Sequence, residues 1–422
     1  MKIKLLLCLI LVSMKVDAQL ALNEYRDQVL GYSLDIKKSE NSVVSSIEEW
    51  NKYKTLRLPT LSLSGSFDYN MRQLNGQKQW GFAVQPQLTQ TLYGGGSVNA
   101  TIETYQVKSE IALCDLEYTY LEVLYAADYA YWSLYSMRRY RDAMREYVKI
   151  IESLKAVVDR RFSEGYISKS DVLMIATRLN EARYSYVVAE QSYIVALHNF
   201  NILRGASAEE FIDLKQIVVT DVMPPLRASL DVILARRPDF EAIELVKNVS
   251  EIAIRSTKAT YNPTLSAGIS ASWMPYTPNI SGKTRIDGLA FLSLSATLFH
   301  FGERRRAVAV AQASYIESKI NRAILHDSIE KEEVNGWTVV IDTNAQVHTA
   351  KESLSIAGES LNISTYSYSE GQTTILDVMQ AQIGWIQSYT NSIDAEFNYM
   401  VAISSYSKIS AELVDFVDVV GD

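Results

Sequence analysis

The chain has 422 residues, 48% of them hydrophobic and 21% charged, which is too apolar for a disordered segment and ample for a large folded protein. Its 41 basic and 49 acidic residues leave a formal charge of −8, a balance that argues against nucleic acid as a partner. Residues 1–18 read as a secretory signal peptide. Lys2 and Lys4 precede the apolar run Leu5–Val12, and Val16-Asp17-Ala18 offers small residues at −3 and −1 for cleavage after Ala18. Cys8 leaves with that segment, so Cys114 stands alone and no internal disulfide is expected in an exported chain. No later run reaches the ~18 consecutive apolar residues of a spanning helix. Any membrane crossing must therefore be made by strands.

After a helical stretch at about Leu22–Leu56, Leu61–Asn70 and Trp80–Leu92 alternate between apolar and polar residues. Gly94-Gly95-Gly96 then turns the chain into a second helical stretch. From Ser97 to about Arg161 there is neither proline nor glycine, which predicts one very long helix. It stops at Phe162–Leu173, FSEGYISKSDVL, where Gly165 suits the left-handed residue past a helix end and Ser168-x-x-Asp171 suits a capping box. The next helix, to about Leu203, carries apolar residues at alternating steps of three and four (Val172, Ile175, Leu179, Ala182), the coiled-coil heptad.

The same order recurs about 206 residues later. Tyr368–Met379 reads YSEGQTTILDVM, with Gly371 and Thr374-x-x-Asp377 answering Gly165 and Ser168-x-x-Asp171, and the seam returns as Val378, Ala381, Trp385 and Ser388. The predicted organisation is a first repeat over 19–204 with a strand pair at 59–93, an irregular link at 205–226, a second repeat over 227–415 with a strand pair at 263–299, and a tail at 416–422. In the second repeat helices are expected at about Asp239–Thr260, Glu303–Ser360 and Leu376–Val414. Its strands are Leu265–Trp273 and Leu292–Leu298. The second outer loop is expected to hold the two residues by which the spacing of Pro59 and Pro263 differs from that of Gly96 and Gly302.

A soluble sandwich also has period-two strands. Here the runs match the ~9–11 residues of a tilted membrane strand, and aromatic residues (Tyr69, Trp80, Tyr93, Trp273) sit near their ends. Leu63, Phe67, Phe82, Leu294 and Leu298 are expected to face lipid, and Ser64, Gln87, Ser270 and Ser295 to face water. Four strands cannot close a barrel, so copies must share one. An enzyme finds little support. His198, His300, His326 and His348 show no metal-ligand spacing, the glycine triplet lacks the Lys-Ser/Thr of a phosphate loop, and no Gly-x-Ser-x-Gly occurs. No cofactor is expected.

Arg237-Pro238-Asp239-Phe240-Glu241, Tyr261-Asn262-Pro263-Thr264-Leu265, Leu92-Tyr93-Gly94-Gly95-Gly96, Leu298-Phe299-His300-Phe301-Gly302 and the two tips, taken in order, resemble TolC-like outer membrane efflux proteins. The first-half counterpart of Arg-Pro-Asp is Ser33-Leu34-Asp35. The resemblance implies a mainly α fold with a membrane β part. Long coiled-coil helices would form a hollow α-barrel in the periplasm, and a homotrimer would share a 12-stranded transmembrane β-barrel, four strands per chain, in outer membrane lipid. It implies an exit duct of a tripartite efflux or type I secretion system, served by a periplasmic adaptor and an inner-membrane pump. A non-transporting trimeric coiled-coil envelope protein or adhesin is the alternative. The resemblance further places adaptor docking at Ser163, Glu164, Gly165, Ser369, Glu370 and Gly371, and a periplasmic gate at Tyr368, Thr373, Asp377 and Gln380. Thr373 and Gln380 stand where the family pattern has an arginine and a second aspartate. Closure is therefore expected to rest on Tyr368, Thr373 and neutral hydrogen bonds.

Overall fold

A computed structural model describes residues 20–72, 78–214, 219, 222–276, 285–299 and 301–412. The signal segment 1–18, the tail 416–422, His300 and the tip of the second outer loop lie outside them. The elements are α1 (Leu22–Tyr32), α2 (Leu34–Lys54), β1 (Thr60–Tyr69), β2 (Trp80–Tyr93), α3 (Ser97–Ser163), α4 (Lys169–Leu203), α5 (Leu230–Arg236), α6 (Pro238–Thr260), β3 (Thr264–Tyr276), β4 (Arg285–Ser295), α7 (Glu303–Ser369) and α8 (Ile375–Ser410). Helices α3 and α7 are 67 residues each. No described helix is apolar enough to cross a membrane.

Two differences from the sequence reading lie at the first helix of each half. The stretch expected as one helix from Leu22 to Leu56 breaks at Ser33, whose hydroxyl accepts a hydrogen bond from the Ile36 amide at 3.3 Å and so starts a new helix. The second half breaks at the matching place. There α5, which the sequence reading missed, ends at Arg236, and Pro238 opens α6, where its missing N–H costs nothing.

The described residues group into two compact units, each drawing on both halves of the chain: those up to Lys37, of 118–237 and from Ser328 onward in one, those of 38–117 and 238–327 in the other. In the first unit the core is rich in tyrosine. Tyr25 stacks on Phe200 with ring centroids 3.9 Å apart and donates its hydroxyl to the Phe200 carbonyl at 3.0 Å. Such a side chain gains about 1.5–3 kcal/mol from burial, provided its polar end is bonded. Two tyrosines on α8 pin the link between the halves by the same logic. Tyr399 donates to the Val222 carbonyl at 2.9 Å, and Tyr406 accepts from the Ala228 amide at 3.1 Å.

The second unit holds the sheet. Its order is β1-β2-β3-β4, all antiparallel, so the hairpins of the two halves join through β2 and β3. Cross-strand pairs set the faces: Leu63 opposes Pro86, Phe67 opposes Phe82, Leu88 opposes Ile269, and Leu265 opposes Leu294. All lie on one face. Ser64 opposite Gln85, Gln87 opposite Ser270 and Thr264 opposite Ser295 lie on the other. Two corrections arise in β4. It begins at Arg285 and ends at Ser295, so Leu298 lies beyond it. Asp287 and Gly288, poor strand formers, disguise its first half; pairing to β3 overrides them. The serine-rich face also carries Leu289 and Phe291, opposite Ser270 and Gly268. A Cβ on Gly268 would meet the Phe291 ring at 2.5 Å, so the aromatic ring covers the space that glycine leaves.

Cys114 is buried on α3, and burial pushes its thiol up to about 12, far from reactive thiolate character.

Candidate functional site: the paired helical tips

Both tips are built by one backbone recipe. At the end of α3 the Tyr166 amide donates to the Arg161 carbonyl at 2.9 Å and the Gly165 amide to Phe162 at 3.0 Å. At the end of α7 the Gln372 amide donates to Ser367 at 2.9 Å and the Gly371 amide to Tyr368 at 3.0 Å. This crossed pair is the Schellman motif, and its left-handed residue is glycine in each case, with φ of 78° at Gly165 and 77° at Gly371. We expect Gly165→Ala and Gly371→Ala each to cost about 1–2 kcal/mol, because an L side chain in that conformation strains against the next carbonyl. A fall in the thermal unfolding midpoint of each variant checks this.

The following helices start with complete capping boxes. Ser168 and Asp171 exchange hydrogen bonds at 3.3 and 3.1 Å, and Thr374 and Asp377 do so at 3.4 and 2.9 Å. Hydrogen bonds from Thr374 hold the Asp377 carboxyl below the usual carboxylate range. Asp377 is exposed, so it can cap α8 and still present charge outward.

The four expected gate residues do not share one environment. Asp377 and Gln380, three residues apart, lie on one exposed face of α8. Tyr368 instead is buried, packed with Tyr147, Ile151, Leu154 and Val158 of α3, Ile175 of α4 and Val378 of α8. Burial pushes its phenol up, with the Arg161 guanidinium pulling the other way. Thr373 Oγ1 is buried without a hydrogen-bond partner, so within the single chain it supplies none of the neutral bonds expected of it. The six tip positions Ser163, Glu164, Gly165, Ser369, Glu370 and Gly371 are all exposed.

An arginine from the first half bears on the second tip, although Thr373 stands where the family pattern has one. Arg161, in the last turn of α3, places its guanidinium 4.7 Å from the Tyr368 ring centre and donates from Nη2 to the Ser369 carbonyl at 2.9 Å. A cation thus clasps the C-terminal end of α7, where the helix dipole favours it. Sequence reasoning missed it because the two residues are 208 apart, and its counterpart in the repeat is Ser367. The one available signal was a basic pair, Arg160-Arg161, just before the first Ser-Glu-Gly tip, which its counterpart before the second tip lacks.

The sequence profile of the outer membrane efflux protein family matches residues 17–205 and 230–403. This chain belongs to that family. TolC of Escherichia coli K12 is 22% identical over 395 residues, which cover 87% of this chain and 77% of TolC. Among solved structures, CusC superposes with a TM-score of 0.80 at 15% identity, over 92% of this chain and 91% of CusC. The open state of MtrE from Neisseria gonorrhoeae gives 0.76 at 15% identity, over 92% and 88%. This outer membrane efflux protein therefore has the fold of its structural neighbours, mainly helical with a four-stranded antiparallel sheet, and resides in the outer membrane with its helical part in the periplasm.

The efflux protein also gathers a histidine and two carboxylates on α7. His326, Asp327 and Glu330 bring their ligand atoms within 4.8 Å of one another on α7. Exposed acidic side chains gather in this way without a metal, and the trio carries no assignment.

Proposed function

We propose that three copies close one barrel of twelve strands and that the protein is the exit duct of a tripartite efflux or type I secretion system. Substrates would pass from a periplasmic adaptor and an inner-membrane pump, docked at the two tips, to the exterior. The chain then reads as tandem repeats over 19–204 and 227–415. The observation that carries this is the sheet. Its order leaves β1 and β4 as edges, and one face is a run of exposed apolar residues that includes Leu61, Leu63, Phe67 and Leu294. Open edges are not tolerated in hydrocarbon, since each unpaired backbone group there costs several kcal/mol. Four strands are too few to pair their own edges, and TolC-like proteins suggest three copies rather than two. We expect a homotrimer in mild detergent and steady conductance in planar bilayers. A stable protein without conductance would favour a structural spacer or adhesin.

The same reading places the constriction at the second tip. Around a threefold axis, three copies of Asp377 and Gln380 would ring the lumen, while Arg161 and Tyr368 hold each tip in its closed position. A hydrogen bond to a charged donor is worth about 1.5–3 kcal/mol, more than the neutral bonds on which closure through Tyr368 and Thr373 was expected to rest. Arg161→Ala combined with Asp377→Ala is expected to raise single-channel conductance several-fold and to relieve block by a trivalent cation added on the periplasmic side. Asp171→Ala removes the matching cap from the first tip and should change neither. Because the Asp377 carboxyl is held low, cation block should persist as pH falls to the ordinary carboxylate range and fade only below it. Conductance unchanged in an intact trimer would place the constriction elsewhere.

A further inference from the structure

The four junctions between helix and strand gather at one end of the sheet. Thr60, Thr89, Ser266, Thr91, Thr264 and Ser295 pair there, which brings the end of α2, the start of α3, the end of α6 and the start of α7 together. Contacts across the junctions confirm the grouping: Arg57 donates to Asn99 Oδ1 at 3.0 Å, Arg255 to Glu103 Oε1 at 2.6 Å, and Asn262 to the Gly95 carbonyl at 2.8 Å.

This band is basic in an acidic chain. Residues 52–58, 97–103, 255–262 and 303–306 hold Lys52, Lys54, Arg57, Arg255, Lys258, Arg304, Arg305 and Arg306, against only Glu103 and Glu303. All eight cations are exposed. Glu103 is taken by Arg255, and Glu303 accepts from the Tyr261 hydroxyl at 3.0 Å. The arginine triplet is the sharpest feature. It occupies the first turn of α7, where the positive end of the helix dipole disfavours cations. The fold itself does not demand it, because the first repeat has Val98-Asn99-Ala100 at the same positions. Three consecutive residues sweep about 200° round a helix. Whichever flank of α7 a neighbouring copy covers, a guanidinium remains on the open side. Exposed apolar residues, Leu298, Phe299 and Phe301, stand immediately before the triplet, as side chains at a membrane boundary do.

We propose that this band is a basic collar that binds the anionic phospholipid headgroups of the leaflet facing the helices. Guanidinium groups and a helix N-terminus together suit a phosphate, and the apolar residues beside them suit the acyl region. The collar rests on the reading of the sheet as a membrane barrel. It would set the depth of the sheet in the bilayer by charge as well as by hydrophobic length.

The test counts lipids on the purified full-length assembly by native mass spectrometry, after equilibration with equal amounts of phosphatidylglycerol and phosphatidylethanolamine. Each cation close to an anionic surface contributes about fivefold. The wild-type protein should therefore favour phosphatidylglycerol by tenfold or more at low salt, and less as salt screens the charges. Arg304→Gln/Arg305→Gln/Arg306→Gln should lower that preference at least tenfold, leaving what the five other cations supply, with conductance unchanged. Lys149→Gln/Arg160→Gln/Lys169→Gln, three cations remote from the sheet in sequence, should leave the ratio alone. No preference in the wild type, or an equal preference in the Arg304–Arg306 variant, overturns the collar while a conducting trimer leaves the channel intact. A wild-type protein that never enters bilayers overturns both.

Discussion

Arg26→Ala is expected to destabilise the helical part by about 3–5 kcal/mol. Asp128 lies on α3 with its side chain wholly buried, and Arg26 of α1 answers it with two hydrogen bonds, from Nε and Nη2, each 2.6 Å long. Removing the guanidinium leaves a carboxylate out of water with no counter-charge. The cost of that orphaned charge exceeds what the pair contributes when intact, because burying both ions was itself unfavourable. A distinguishing variant follows. Arg26→Met/Asp128→Leu removes both charges and should recover most of the lost stability. Denaturant unfolding of the detergent-solubilised protein measures both. If the double variant is as unstable as the single, lost packing around Tyr25 and Phe200 is the cause and the buried charge is not.

Leu63→Arg is expected to cost about 2–4 kcal/mol in the membrane, while Ser64→Arg, one residue along, costs far less. The two positions lie near the middle of β1 and differ only in face, Leu63 opposite Pro86 and Ser64 opposite Gln85. An arginine at the first would have to sit in hydrocarbon, whereas at the second it would meet the water of the lumen. Folding yield into liposomes from urea, compared at several urea concentrations, separates the two. Leu292→Arg, on the same face through its pairing with Ala267, should behave like Leu63→Arg. Equal penalties on both faces would remove the barrel assignment, and with it the duct.

Much of this molecule is written in local pattern. The Schellman glycines Gly165 and Gly371, the boxes Ser168–Asp171 and Thr374–Asp377, and the proline-free, glycine-free run that becomes α3 all depend on residues within one or two turns of each other. Backbone sterics and capping act over that range, so sequence alone specifies them. The alternation of Leu61 to Tyr69 likewise specifies two faces before any partner strand is known. Internal repetition then carried each feature from one half to the other, which is why both tips could be read together.

Long-range packing decided the rest. The joining of the two hairpins through β2 and β3 depends on residues about 180 apart, such as Leu88 and Ile269, and no local signal encodes it. Strand β4 starts earlier than its alternation suggests because pairing with β3 satisfies the backbone of Asp287 and Gly288 despite their poor propensity. At the second tip the sequence offered Tyr368 and Thr373 as polar groups, but packing against α3 buries the tyrosine and brings Arg161 over its ring. A side chain's chemistry is legible in the chain. Which side chain from 200 residues away will meet it is settled only when apolar faces close on one another, because hydrophobic burial is strong but non-directional and selects partners by fit.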